Sequence, residues 1–192
     1  MGGIFLKPRS SYLINEKTVL LATEFDKHGH ECTRIIHGDH EFLVGKRLKE
    51  IMDATLKCFG SSLAISVLSS KGILGRKYMV PIVINPGSSI VLIPFKRAGR
   101  KEMIWLALSH IIEAEKISKE TTKIYMNYGH SLTMNMKIKH FETRRQIGAF
   151  LQIKVIENAA KSATFLYEPE SGFKIMESKA EYNLIIKKGN QE

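Results

Sequence analysis

The chain has 192 residues, of which 44% are hydrophobic and 25% are charged, and its formal net charge is +10. This composition is typical of a soluble globular domain and excludes disorder over the whole length. No apolar run approaches the ~20 residues of a membrane span, and we expect no secretory signal or membrane partner. Because Cys32 and Cys58 form neither a disulfide framework nor a CxxC motif, we expect a reducing, cytoplasmic location.

The first third of the chain predicts short strands followed by a helix. We expect residues 1–10 to form a flexible tail. Turn residues separate four predicted strands, which are Tyr12–Ile14, Val19–Ala22, Cys32–Ile36 and Glu41–Val44. Residues 46–59 carry an apolar stripe made of Leu48, Ile51, Met52, Leu56 and Phe59, which predicts an amphipathic helix.

The middle of the chain reads mainly as strands. Tyr78–Ile84 and Ile90–Phe95 flank the turn sequence Asn85–Gly87. Met103–Glu115 is rich in strand-forming residues, although its length also allows a helix. Residues 125–137 predict a hairpin around Asn127–Gly129.

Residues 142–160 predict a second main helix, because Ile147, Leu151, Val155 and Ala159 recur every four residues. The alternation of apolar residues in the same segment also suits a strand. The sequence therefore predicts an α+β fold, with a β-rich antiparallel body and two main helices at about 46–59 and 142–160. It lacks the regular βαβ alternation of a doubly wound nucleotide-binding fold.

The positive charge is concentrated in one part of the chain. Residues 61–145 carry fourteen Lys and Arg against five Glu, whereas the segments before and after them are close to neutral. A basic zone of this kind favours a polyanion such as nucleic acid, because lysine and arginine neutralise phosphates. The alternatives are a membrane surface and a solvated basic surface without a partner.

The candidate DNA-binding residues fall into two sets, one around the Asn85–Gly87 hairpin and one before the second helix. They are Lys71, Arg76, Lys77, Lys96, Arg97, Arg100, Lys101, Lys137, Lys139, Arg144 and Arg145. Phosphate contacts would supply affinity, and an arginine that enters a groove would add sequence or shape preference. We therefore predict a single DNA-binding domain over residues 11–163 and a C-terminal tail over 164–192.

Catalytic motifs are absent from the sequence. It contains no P-loop, dinucleotide fingerprint or GxSxG elbow, so we expect neither an enzyme nor a bound cofactor. The residues His28, His30, Cys32, His37, Asp39 and His40 crowd into thirteen positions. Imidazole and thiolate suit zinc, but this spacing matches no structural zinc pattern, and exposed loop histidines are the favoured interpretation.

Several short sequences occur in an order that resembles the ComK family of competence transcription factors. They are Cys58–Ser62, Pro81–Pro86, Ile90–Phe95, and Ile104–Leu106 with His110. The resemblance implies an activator of DNA-uptake genes that recognises double-stranded A/T-rich sites, partly through the minor groove, as a homo-oligomer (dimer or tetramer). It also implies a cytoplasmic, nucleoid-associated protein.

Two departures from the family pattern bear on these implications. The family usually has a basic stretch after Gly-Ser-Ser, whereas this chain has the apolar segment Leu63–Val67. The alternative is therefore a ComK-like regulatory protein with weakened DNA binding, which acts through mixed oligomers. The family's C-terminal region also carries a sequence bound by the MecA adaptor, which delivers the protein to the ClpC–ClpP protease. The similar residues here are Phe165, Leu166, Tyr167 and Pro169.

Overall fold

The computed structural model describes residues 9–85, 87, 90–97 and 102–164, with side chains to residue 160, and the strands Phe173–Met176 and Ile185–Lys188. Most of the expected N-terminal tail lies outside the described residues. So do Arg100, Lys101 and the segment 165–169.

Six strands form the main sheet, in the spatial order β3-β2-β1-β6-β5-β4, and every neighbouring pair is antiparallel. They are β1 (Thr18–Phe25), β2 (Glu31–His37), β3 (His40–Val44), β4 (Ile82–Asn85), β5 (Ile90–Lys96) and β6 (Met103–Ala107). The expectation of a strand at Tyr12–Ile14 was wrong. The backbone N–H of Ile14 instead donates a hydrogen bond to the hydroxyl of Thr55, at 3.1 Å.

Two helices, α1 (Leu48–Lys57) and α2 (Leu63–Leu74), pack on one face of this sheet. The predicted helix at 46–59 is confirmed as α1. Four of its five stripe residues are buried against strand residues such as Leu21 and Leu92, whereas Phe59 lies beyond the end of the helix and is half-exposed. Full burial of one such aliphatic side chain stabilises the fold by about 1.5–3 kcal/mol.

The helix α2 is additional to the two main helices that the sequence predicted. Its hydroxyl-bearing side faces the protein, where Ser66 and Ser70 are buried, and the Ser66 hydroxyl donates to the carbonyl of Val83 at 3.0 Å. Its outward side carries the exposed Ile65 and Leu68. Apolar residues also lie on the side that packs against the core, so α2 is apolar on both sides and the usual apolar periodicity is missing.

The opposite face of the main sheet is covered by a smaller antiparallel sheet. Its strands are β7 (Ile111–Lys116), β8 (Thr122–Met126) and β9 (Ser131–Met134), in that spatial order. The predicted segment Met103–Glu115 thus forms two strands, β6 and β7, with a short 3-10 turn at Leu108–His110 between them. Ile124 and Met134 pack in one cluster with Leu20 and Phe95 of the main sheet.

The long helix α3 (Ile138–Thr164) follows β9 and begins four residues before the predicted 142. Its residue Phe141 is fully buried in the same cluster as Phe95. The chain divides into two compact units, Met1–Ile156 and Glu157–Glu192. In the second unit, β10 (Phe173–Met176) pairs antiparallel with β11 (Ile185–Lys188). In the described part of the chain, no helix has the length and apolar character needed to cross a membrane.

Candidate nucleic-acid interface

The end of β5 lies beside the first turn of α3. The rings of Phe95 and Phe141 stack with their centroids 5.4 Å apart and their planes inclined by 17°. Lys96 and Arg97 directly follow Phe95, so they lie next to the start of α3. That start carries two further predicted residues, Lys137 and Lys139. We call these four residues the β5–α3 surface.

A groove of about 290 Å³ opens at this surface. It is lined by Lys96 and Arg97, and by Thr133 and Asn135 at the end of β9, among others. Lys96 is exposed, whereas Arg97 is partly buried. Cationic, hydroxyl and amide side chains that line one open groove suit contacts with a phosphate backbone.

Arg97 is already engaged within the fold. Its Nη1 lies 3.5 Å from Oε1 of Glu24 and donates a hydrogen bond of 3.4 Å to the carbonyl oxygen of Thr23. Glu24 therefore offsets part of the positive charge of this surface. No local sequence pattern indicates this contact, because Glu24 in β1 and Arg97 after β5 are distant in the chain.

Arg144 also contacts the protein rather than projecting freely into solvent. Its Nη1 donates to the carbonyl oxygen of Pro94 at 3.3 Å, and its guanidinium lies 5.9 Å from the ring centre of Phe95. Burial lowers the pKa of Arg144, and the neighbouring charge of Arg76 lowers it further. Arg76 is thus close enough to Arg144 for the two charges to interact, although it follows α2 in the chain.

Arg145 is directed toward β7. Its Nη2 donates to the carbonyl oxygens of Ile112, at 3.0 Å, and Ile111, at 3.4 Å, while its Nη1 lies 3.8 Å from Glu142. These contacts tie α3 to the small sheet. They leave Arg145 with fewer donors for a DNA phosphate than an unbound arginine has.

The remaining predicted lysines differ in their surroundings. Lys137 pairs with Glu120 at 3.1 Å, and Lys139 is exposed in the first turn of α3. Lys77 is exposed in the connection between α2 and β4. Lys71 lies in the last turn of α2, which packs on the opposite face of the main sheet from the first turn of α3. The structure therefore groups part of the predicted set and separates Lys71 from it.

Comparison with known proteins identifies the family. A family model described as "ComK protein" matches residues 9–160. The chain belongs to the ComK family. The chain is also 26% identical over 148 residues to a protein of Bacillus subtilis (strain 168) named "Competence transcription factor", covering 77% of this chain and 76% of that protein. No solved structure matches.

The ComK match covers both sheets of the first unit, α1, α2 and most of α3. It includes the whole β5–α3 surface. It ends before Phe165–Tyr167, the segment that sequence analysis compared with an adaptor-binding sequence.

The histidine cluster is divided in this ComK-family fold between the β1–β2 turn, with His28 and His30, and the β2–β3 turn, with His37 and His40. Cys32 is buried, and His30 lies 3.3 Å from Asp26. His37 is hydrogen-bonded through Nδ1 to Tyr12, and His40 pairs with Asp39. Among the described residues, no three His, Cys, Asp or Glu side chains are arranged to hold a metal ion. The structure thus gives no support to a zinc site at residues 28–40.

Proposed function

We propose that this chain is a DNA-binding transcription activator of competence genes, acting in the cytoplasm at the nucleoid. Family membership and the name of the Bacillus subtilis relative support a competence regulator. The observation that supports DNA binding is the β5–α3 surface. Lys96 and Arg97 line a groove there, and the stacking of Phe95 on Phe141 places them beside the start of α3, which carries two further lysines.

The proposed contacts divide into two kinds. Lys96 and Lys139 are exposed and would neutralise backbone phosphates, which gives affinity without sequence information. An arginine would supply the preference for A/T-rich DNA, because a narrow minor groove has an enhanced negative potential that attracts guanidinium. Arg97 is the described arginine that lines the groove, and Arg100 follows it closely in the chain.

A salt titration of binding to matched A/T-rich and G/C-rich duplexes tests this function. We expect log affinity to fall linearly with log salt concentration, with a slope near −0.9 for each phosphate neutralised. We also expect tighter binding to the A/T-rich duplex at every salt concentration. Equal affinities would remove the proposed site preference, and no binding at low salt would remove DNA binding itself.

A second candidate is a regulator that acts through mixed oligomers with weakened DNA binding. The observation that favours it is the outward face of α2, where the exposed fraction is 59% for Ile65 and 71% for Leu68. Exposed apolar residues on one helix face suit a protein partner. Mixing this chain with an intact family member and measuring the mass of the complex by light scattering decides the matter. Absence of a mixed complex would rule out this candidate.

We also propose that the protein binds DNA as a dimer or tetramer. A homo-oligomer would place two basic surfaces on one duplex, which suits paired A/T-rich boxes. Light scattering with and without a duplex measures the stoichiometry. One protein chain per duplex at saturation would contradict an oligomer.

Regulated degradation through a MecA-type adaptor and ClpC–ClpP is a further proposal. It rests on Phe165, Leu166, Tyr167 and Pro169, which lie outside the described residues. Replacement of Phe165, Leu166 and Tyr167 by alanine should slow degradation of the protein in a reconstituted adaptor–protease mixture. An unchanged rate would contradict the assignment of this segment.

A further inference from the structure

A second basic site lies at the turn between β2 and β3. A pocket of about 250 Å³ opens there and is lined by Arg9, Lys17, His37, Asp39, His40 and Tyr128, among others. We call it the turn pocket. It is separate from the β5–α3 surface. In the main sheet, His37 is the register partner of Thr18 at the start of β1, whereas the end of β5 lies near the other end of β1.

The turn pocket carries an excess of positive charge. Burial lowers the pKa of His37, and the charges of Lys17, His40 and Arg9 lower it further against the opposing effect of Asp39. The carboxylate of Asp39 is itself paired with His40. On the adjacent β8–β9 turn, Tyr128 lines the pocket, and Nε2 of His130 is hydrogen-bonded to the carbonyl oxygen of Gly38. The pocket therefore favours a negatively charged ligand.

A chain of hydrogen bonds orients the ring of His37. The N–H of Asn15 donates to the hydroxyl of Thr18 at 2.9 Å, and the Thr18 and Tyr12 hydroxyl oxygens are 2.5 Å apart. The Tyr12 oxygen lies 2.9 Å from Nδ1 of His37. If each hydroxyl both accepts and donates, the chain ends with Tyr12 donating to Nδ1. The proton of neutral His37 then lies on Nε2, the nitrogen not engaged by Tyr12.

Arg9 is held in place before any ligand binds. Its guanidinium stacks over the ring of Phe42 at 3.8 Å. Its backbone N–H donates to Leu43 at 2.8 Å, and its carbonyl accepts from Gly45 at 3.0 Å. A cation that is already ordered loses little conformational freedom when it binds an anion.

We propose that the turn pocket binds a phosphate group. The donors are the guanidinium of Arg9, the ammonium of Lys17 and Nε2–H of His37, and the pocket, of about 250 Å³, has room for a phosphate group. The phosphate belongs either to a DNA backbone or to a small phosphorylated molecule. In the first case the inference rests on the proposed function and adds contacts outside the β5–α3 surface. In the second it stands independently.

Titration of the full-length protein with inorganic phosphate tests the pocket. The ring-proton NMR signals of His37 report binding, with chloride at matched ionic strength as the control. We expect a saturable shift with phosphate only, and an increase in the pKa of His37, because a bound anion stabilises the imidazolium. Lys17→Gln and Arg9→Gln should each weaken phosphate binding about tenfold.

The matched control is Lys27→Gln, in the turn between β1 and β2, which should leave phosphate binding unchanged. The ring signals of the buried His110 report in every variant whether the fold is intact. A His37 signal that responds equally to phosphate and chloride would overturn the proposal. Unchanged phosphate affinity in folded Lys17→Gln and Arg9→Gln would do the same.

Binding to duplex DNA then identifies the source of the phosphate. If a backbone phosphate occupies the pocket, Lys17→Gln should reduce the steepness of the salt dependence by about 0.9. If the steepness is unchanged while inorganic phosphate still binds the unaltered protein, the ligand is a small phosphorylated molecule. Phosphate binding without any duplex binding would refute the proposed function and leave the turn pocket as a phosphate site.

Discussion

The guanidinium of Arg97 shares a carboxylate oxygen with a second arginine. Oε1 of Glu24 lies 3.5 Å from Nη1 of Arg97 and 3.5 Å from Nε of Arg34. Arg34 also pairs with Glu41 on the neighbouring strand β3. The free protein therefore holds the arginine of the proposed groove in a network that DNA binding must rearrange. Glu24 restrains Arg97 and lowers the positive potential at the same time.

Replacement of this carboxylate should strengthen DNA binding. Glu24→Gln removes the charge that competes with phosphate for Arg97. A partly exposed ion pair is worth up to about 1 kcal/mol, so we expect affinity for an A/T-rich duplex to increase up to about fivefold. The matched control is Glu41→Gln, which changes the net charge equally. Glu41 pairs with Arg34 but not with Arg97. Fluorescence anisotropy measures both, and no difference between the two variants would show that Glu24 does not restrain Arg97.

The close approach of α3 to β5 should make Gly148 sensitive to substitution. A Cβ at Gly148 would lie 2.9 Å from Cδ1 and Cγ1 of the buried Ile93. Overpacking typically costs about 1–3 kcal/mol, which outweighs the ~1 kcal/mol by which alanine favours a helix over glycine. We therefore expect Gly148→Ala to lower the free energy of unfolding in urea.

Gly72→Ala is the matched control, because a Cβ at Gly72 in α2 would meet nothing within 4 Å. It should stabilise the protein by up to about 1 kcal/mol. In an Ile93→Ala background, which makes room for the added methyl group, Gly148→Ala should cost less. Equal effects of Gly148→Ala in the two backgrounds would mean that Ile93 is not the obstacle.

The sequence predicted the parts of the fold that have a regular apolar pattern. The stripe of α1 could be read directly, because Leu48, Ile51 and Leu56 all face the core. The helix α2 could not, because its buried face carries Ser66 and Ser70. Charge counting identified Lys96 and Lys139 as candidates. Their proximity depends on the packing of α3 against β5, which has no local sequence signal. The contact by which Glu24 restrains Arg97 has none either.

The stability of the protein in acid should depend on Asp53, whose carboxylate binds the first residue of α2. Oδ1 of Asp53 accepts a hydrogen bond of 3.0 Å from the backbone N–H of Leu63, and Oδ2 lies 2.9 Å from Nζ of Lys57. The Leu63 N–H, together with Lys57, lowers the pKa of Asp53. A carboxylate with a lowered pKa in the folded state contributes stability above its unfolded value of about 3.9. This contribution disappears as pH falls through the folded-state pKa.

Asp53→Asn keeps a side-chain oxygen for Leu63 but cannot titrate. Its free energy of unfolding should therefore fall less steeply than that of the unaltered protein as pH drops below about 4. The gap between the two proteins should be widest near neutral pH and should narrow in acid. Urea unfolding at a series of pH values measures this, and parallel curves would contradict the role of the Asp53 charge.

The most direct test of the account is whether Lys96 and Lys139 contact the same duplex. The salt dependence of binding should be measured for Lys96→Gln, Lys139→Gln and Lys49→Gln, the last being an exposed lysine of α1 on the opposite face of the main sheet. The account predicts that the first two variants each reduce the slope of log affinity against log salt by about 0.9. Lys49→Gln should retain the original slope. Identical slopes for all three variants would contradict a duplex-binding surface formed by β5 and α3.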